Sequence, residues 1–302
     1  MKKRILILGG GISGERSISL KTAKAVKNCI KKKYNCKIVE PDENLTKNID
    51  RFSPHVVFNA LHGRFGEDGF IQTYLESKGV SYTHSGVLSS MMAMDKEISK
   101  KLFIKNKILT PKFQKIRTNL KKKEIKLLKK KIKFPVVIKP INEGSSLGVY
   151  ICNEKNIINN LKKLKAYDEV LVEEFIPGRE IQVAILDKKK LGAIELKPKR
   201  KFYDYKAKYS SKAKTKHIIP VDIKTKEYKN VMNIALKAHK ILKCRGVTRS
   251  DFRFNNGKFY LLELNTQPGM TNLSLVPEIA LHHGINFFSL IDWIIKDASK
   301  NR

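Results

Sequence analysis

At 302 residues the chain is long enough for two or three domains with substantial cores. A hydrophobic content of 41% with 8% aromatics suits a globular protein and excludes a disordered one, and no apolar run approaches the length of a membrane span. The formal net charge of +34 taken alone points to a polyanionic partner. Its lysines are spread along the whole chain rather than gathered into an arm, and no aromatic RNA-binding signature accompanies them. We therefore expect compositional bias, with no specific nucleic-acid or membrane partner.

The opening MKKRILILGGG has the basic start of a signal peptide, but its apolar run, residues 5–8, ends in glycines and is too short for an h-region. It reads as a first strand, which makes a cytoplasmic protein the expectation. Alternation of strand and helix follows: RILILGG, a helix over 17–33, then the strands NCKIVEP and HVVFNAL, the start of a doubly wound sheet. A helix is expected over 91–105, with Pro111 as a break. The charged segment 121–133 is expected to be helical, with Ile125, Leu128 and Ile132 on one face; a solvated helix covering a small domain fits it better than a membrane-surface helix. FPVVIKP and LGVYICN read as two strands joined by a Gly/Ser loop, followed by strands at VLVEEF, EIQVAIL and LGAIEL. Residues 201–217 form a long irregular stretch, and such loops commonly act as lids. A helix at 224–243, the strands SDFRF and FYLLELN, and a closing helix complete the chain.

Cys29, Cys36, Cys152 and Cys244 show neither a CxxC pair nor a histidine at ligand spacing, so reduced thiols are expected. Gly9, Gly11 and Gly14, with Glu40 ending the second strand, fit a dinucleotide fingerprint. That motif is weak here, because a dehydrogenase leaves the glycines and acids of the remaining chain unexplained.

The other polar residues suit a different chemistry. The loop 143–148, Glu-Gly-Ser-Ser-Leu-Gly, lies between two strands and can cradle phosphate oxygens without being a Walker A loop. Lys139 ends an apolar strand, where a buried cation needs an anion. Asp251, Glu263 and Asn265 fall on adjacent strands, with Glu263 and Asn265 on one face by period-2 alternation, and oxygen donors of this kind suit magnesium. By residue type alone, Glu15 can be a helix cap, His62 can be structural and Arg249 can simply pair with Asp251.

The segments GGISGERSISL at 10–20, HGRFGEDGFIQ at 62–72 and MDKEISK at 94–100 carry a likeness. So do VIKPINEGSSLGV at 137–149, VEEFIPGREIQVAIL at 172–186, FYDYKAKY at 202–209, RSDFRF at 249–254 and LLELNTQPGMTNLSLVPEIA at 261–280. Through them the chain resembles the D-alanine–D-alanine ligase family over essentially its whole length. The resemblance implies an α/β protein of the ATP-grasp fold. Its units would be an N-terminal domain with a doubly wound parallel sheet (1–92), a central subdomain (93–178) and a C-terminal subdomain carrying the lid and metal site (179–302).

It also implies roles. Lys96, Lys139 and Lys208 would hold ATP phosphates with Ser146 closing over them; Glu173 and the backbone of Phe175 and Ile176 would face adenine, and Glu180 the ribose. Asp251, Glu263 and Asn265 would bind two magnesium ions, for which manganese can substitute. Arg249 and the amide of Gly269 would stabilise the oxyanion. Glu15, linked to Ser145 and Tyr209, would take the ammonium of the first D-alanine, with His62 near its carboxylate. Ser274 and the amide of Leu275 would hold the carboxylate of the second. The reaction would pass through an acyl phosphate under the lid, in a homodimer serving peptidoglycan precursor synthesis. The same-fold alternatives, with D-lactate or D-serine as acceptor, are disfavoured by Tyr209 and the 271–276 segment. One departure, Lys206 where relatives carry Glu, bears on lid dynamics and nucleotide affinity.

Overall fold

The structure is a computed structural model that describes residues 1–197, 215–271 and 274–302. The expected lid residues Lys206, Lys208 and Tyr209 lie outside the described residues. Three sheets organise the rest.

The first is parallel, in the order β2-β1-β3, from β1 (Arg4–Leu8), β2 (Asn35–Val39) and β3 (Val56–Asn59). Residues 5–8 are fully buried, as a central parallel strand covered on both faces requires. Helix α1 (Arg16–Ile30) returns across this sheet, burying Ile18, Ala23, Val26 and Ile30. A Cβ on Gly9 would lie 2.5 Å from the Ala23 Cβ, so close helix–strand packing accounts for that glycine. Glu40 is engaged by Arg16, Nη2 to Oε1 2.7 Å. Gly9 and Glu40 of the fingerprint thus have packing and pairing roles of their own.

Beyond this sheet come two short helices that the sequence pattern did not announce, α2 (Leu45–Phe52) and α3 (Phe70–Ser77). The helix expected over 91–105 is two helices, α4 (Val87–Met94) and α5 (Lys96–Lys105). Asp95 breaks them apart: it takes an extended conformation and its carboxylate accepts hydrogen bonds from the amides of Glu97 and Ile98, both at 2.9 Å, a standard N-cap. The break makes Lys96 the first residue of α5.

The second sheet is antiparallel, ordered β4-β7-β5-β6, from β4 (Phe113–Arg117), β5 (Val136–Pro140), β6 (Tyr150–Cys152) and β7 (Glu169–Glu174). Helices α6 (Lys122–Lys131) and α7 (Ile157–Lys163) cover it. Ile125, Leu128 and Ile132 do form one buried face, packed with Val136, Ile138 and Leu161.

The third sheet, also antiparallel, runs β10-β9-β8-β11-β12: β8 (Arg179–Leu186), β9 (Lys189–Lys197), β10 (Lys216–Ile218), β11 (Val247–Asn255) and β12 (Lys258–Asn265). Residues 216–217, expected at the end of an irregular stretch, belong to β10. Helix α8 (Thr225–Ile241) packs behind this sheet. Two helices rather than one close the chain, α9 (Leu275–His282) and α10 (Phe287–Asp297). They return to the first sheet, where one apolar cluster joins Ile5 and Val26 to Ile194, Ile279 and Ile294. Asp292 fixes this junction with 2.7 Å contacts to both Lys33 Nζ and Tyr34 Oη. No helix among the described residues is long and apolar enough to cross a membrane.

Candidate active site

The floor of the site is the face shared by β8, β11 and β12. Antiparallel register sets Gln182 opposite Asp251, and Asp251 opposite Glu263; the next row sets Arg249 opposite Asn265. The register slips just after Asp251, a bulge of the sort that re-aims side chains beside functional sites. Arg249 grips Asp251 with both ends of its fork, Nε to Oδ1 2.8 Å and Nη2 to Oδ2 3.0 Å, so its planar guanidinium is held in a fixed orientation. Asn265 Oδ1 accepts the Gln267 amide at 2.7 Å. Among the described residues no group of three or more His, Cys, Asp or Glu is gathered to hold a metal. The local donor set is two carboxylates and one carboxamide.

Above the floor lies the loop 143–148. Ser145 and Ser146 take φ of 49° and 59°, left-handed values that non-glycine residues adopt at a cost and that cluster at functional sites. The loop folds onto the start of α1: Ser145 Oγ donates to Glu15 Oε1. Glu15 occupies the N-cap position of α1, yet its side chain makes no capping bond there; it is buried and turned to the loop instead. Gly144 permits the approach, since a Cβ there would sit 2.7 Å from Glu15 Oε2. His62 is buried nearby, Nε2 at 3.2 Å from Thr22 Oγ1 and Nδ1 at 3.9 Å from Glu67 Oε1. Burial pulls its pKa down, but Glu67 and Glu15 outweigh burial and the net shift is upward.

Lys96 bridges floor and loop. Its Nζ donates to the Glu143 carbonyl and lies 3.9 Å from Glu263 Oε2; burial lowers its pKa against the pull of Glu263. The anion that Lys139 requires is Glu173, Nζ to Oε1 2.6 Å. A second cation that sequence reading missed, Lys100, reaches the other oxygen at 2.8 Å. Lys100 also donates to Thr110 Oγ1 at 2.7 Å and lies over the Phe113 ring. Burial pushes its pKa down to about 8, with Glu173 opposing. The Glu173 carboxyl, raised by burial, ends below its ordinary value because two lysines hold it.

Two adjoining chambers result. One is lined by Glu15, His62, Ser145, Arg249, Asn265, Gly269, Ser274 and Leu275. The other is lined by Lys139, Ser146, Glu173, Phe175, Ile176, Glu180 and Asp251. Lys96, Glu143, Gly144 and Glu263 belong to both walls. Every site residue expected from sequence that falls among the described residues therefore lines one chamber or the other. The second offers Lys96, Lys139 and the Gly/Ser loop to an anion, beside the acids Glu180, Asp251 and Glu263, while the first offers a carboxylate, a guanidinium and a helix N-terminus.

A family model described as "D-ala D-ala ligase C-terminus" matches residues 102–296. Over 306 aligned residues the chain is 66% identical to a D-alanine–D-alanine ligase of Pelagibacter ubique, covering all of both chains. It is 45% identical to one from Wolbachia pipientis, covering 99% of this chain and 95% of that protein. The chain belongs to the D-alanine–D-alanine ligase family. Among solved structures, the Bacillus anthracis ligase complexed with ATP superposes with a TM-score of 0.84 at 31% identity, covering 98% of this chain and 97% of the other. The fold is accordingly ATP-grasp.

In this ligase the finer geometry adds residues that the motifs did not mark. Arg253 donates to the carbonyls of Ile176 (3.0 Å) and Gly178 (2.7 Å) and lies 3.4 Å from Glu180 Oε2, tying the second chamber's rim to β11. The Phe175 amide is already bonded to the Pro135 carbonyl at 3.1 Å. Ser274 immediately precedes α9, its Oγ accepting the Thr271 amide at 2.9 Å, and Leu275 begins the helix. A Cβ on Gly269 would come within 3.0 Å of Ser274 Oγ, so that glycine keeps the first chamber open.

Proposed function

We propose that this chain uses ATP to join two D-alanines through an acyl phosphate, with the residue roles set out below. The observation that carries this reading is the shared wall: Lys96 and Glu263 face both chambers, so an anion held in one can be delivered to an amino acid held in the other. The enzyme is an ADP-forming ligase of peptidoglycan precursor synthesis, with ATP and D-alanine as substrates.

In the first chamber Glu15 takes the ammonium of the first D-alanine and Ser145 fixes Glu15. The substrate's carboxylate then points to the shared wall, where its oxygen attacks the γ-phosphorus of ATP and ADP leaves. Lys96 and Lys139 bind the phosphates, with Ser146 over them, while Glu173 holds Lys139 in place and lines the nucleotide chamber beside Phe175 and Ile176. The amine of the second D-alanine, its carboxylate on Ser274 and the Leu275 amide, attacks the acyl carbon. The nitrogen loses a proton, and the C–O bond to phosphate breaks. Arg249 and the Gly269 amide stabilise the oxyanion in between, an interaction strongest in the transition state. Lys208 and Tyr209 complete the lid in this reading.

Asp251, Glu263 and Asn265 would hold magnesium, or manganese in its place, through hard oxygen donors; when bound it would neutralise phosphate charge. We further propose the three units 1–92, 93–178 and 179–302, each built on one sheet, and a homodimer in the cytoplasm, where ATP is supplied. The exposed Phe70, Leu88 and Met91 on α3 and α4 support a self-association surface, which light scattering tests.

The function is tested by phosphate release with ATP, magnesium and D-alanine, with the product weighed by mass spectrometry. D-alanyl-D-alanine formed one-to-one with phosphate is expected. Phosphate release that ignores D-alanine, or no dipeptide, overturns the reading.

A further inference from the structure

Gln182 has a placement that the reaction scheme leaves unused. It lies in the middle of β8 and is fully buried. Among the described residues neither polar atom of its side chain, Oε1 or Nε2, has a hydrogen-bond partner. Buried polar groups left in that condition destabilise a fold, and a leucine or valine at this place in an apolar strand carries no such cost. The neighbours Ile181 and Val183, on the other face, take the ordinary solution and pack into the core under α8.

The direction of the side chain gives the reason. Gln182 is the register partner of Asp251, which is itself opposite Glu263. It thus shares the row of the sheet that carries the reacting end of the site. It lines the chamber of Glu15, Ser145 and Arg249, and has no part in the wall of the nucleotide chamber. A carboxamide offers two donors and an acceptor without adding charge. Among Glu15, Asp251 and Glu263, a neutral donor can bind an anionic oxygen where further acids repel it.

We propose that Gln182 is a substrate-binding residue of the first chamber, donating from Nε2 to the carboxylate of the amino acid that becomes phosphorylated, directly or through one water. This rests on the ligase reading above. That reading assigns the ammonium to Glu15 and the oxyanion to Arg249 and sets His62 near the carboxylate, but gives that carboxylate no neutral donor from the floor.

The test compares Gln182→Leu and Gln182→Asn with the unaltered enzyme in three measurements: thermal unfolding, kcat/KM for D-alanine and for ATP, and the rise in Tm on adding D-alanine alone. Gln182→Leu is expected to unfold at the same temperature or higher, because two unpaired polar atoms are removed. Its kcat/KM for D-alanine should fall roughly tenfold to a hundredfold, the worth of one hydrogen bond to a charged group, with the KM for ATP within about twofold. The D-alanine-induced rise in Tm should shrink, and Gln182→Asn should recover part of both losses. A Gln182→Leu enzyme that loses Tm but keeps its D-alanine kinetics makes Gln182 a packing residue and overturns the proposal, as does a loss confined to the KM for ATP. If the unaltered protein makes no dipeptide, the ligase reading fails. The D-alanine-induced Tm shift still decides Gln182, since an equal shift in Gln182→Leu overturns its role.

Discussion

Lys100 on α5 and Glu173 on β7 lie 2.8 Å apart, Nζ to Oε2, with both side chains buried. Because the same carboxylate also holds Lys139 at 2.6 Å, one anion keeps two buried cations apart at the edge of the nucleotide chamber. Breaking a buried ion pair from one side leaves an uncompensated charge and costs on the order of 3–5 kcal/mol. Glu173→Gln should therefore lower the unfolding free energy by about that much in denaturant titration. Adding Lys100→Met should restore part of the loss, a non-additivity expected of contacting groups. A Glu173→Gln protein with an unchanged denaturation midpoint contradicts this pairing.

Gly144 gives a steric prediction. Its absent Cβ is what lets Glu15 reach Ser145, so Gly144→Ala should push the Glu15 carboxylate aside without touching the core. A displacement near 1 Å in a positioning group can cost about a hundredfold. Turnover should fall by tenfold to that limit while Tm stays within a few degrees. Wild-type kcat/KM for D-alanine in this variant would dismiss Glu15 as the ammonium anchor.

The magnesium assignment is checked without relying on turnover alone. Glu263→Gln keeps the size of the side chain and removes one of two facing carboxylates. The extra thermal stabilisation that magnesium gives to the complex with a non-hydrolysable ATP analogue should largely vanish, and turnover should fall below about a tenth of the original. Unaltered magnesium dependence of the Tm shift would place the ion elsewhere.

Acid should unfold this protein early. Burial, helped by the positive charges of Arg302 and His62, pushes His84 down to about 3 from 6.5. Burial likewise takes His239 down to about 4. The unfolded chain therefore binds protons that the folded one refuses, and stability declines as pH falls from 6.5 toward those values. His84→Asn removes one such site and tolerates the residue's φ of 70°. Its acid-unfolding midpoint should drop by roughly half a pH unit, followed by circular dichroism. A midpoint that does not move rules His84 out as a determinant.

Much of the site was legible because period-2 alternation among apolar residues fixes which side chains share a face. Glu263 and Asn265 could be placed together, and Asp251 beside them, before any coordinates. Lys100 was not legible for a physical reason: in so basic a chain a lysine's identity says nothing of burial, and its partner Glu173 is a tertiary neighbour. The signals pointing to it were its i, i+4 spacing from Lys96 and its place at the end of the segment MDKEISK. The division between α4 and α5 was hidden because helical periodicity runs straight through Asp95, whose carboxylate caps instead of continuing. Gln182 did leave a trace, a polar residue inside the apolar run EIQVAIL, but only the structure showed its unmet hydrogen bonds. The fingerprint is weak for a physical reason: tight strand–helix packing, as at Gly9 against Ala23, and dinucleotide binding ask for the same residue at the same turn.

The return of α9 and α10 onto the first sheet sets the order in which this protein can mature during synthesis. Lys33 and Asp292, joined at 2.7 Å, are 259 residues apart, and the apolar cluster around them draws on both ends of that interval. The first strands to emerge thus wait for a segment translated long afterward, while the second sheet closes on contacts from its own neighbourhood. Such long-range closure is slow and leaves apolar surface open in the meantime. Leu6 and Leu8 of β1 find their cover among residues 39–82, whereas the cluster around Ile5 and Ile7 is completed only when α10 arrives, so the central sheet is the part expected to settle first and that face of the leading one among the last.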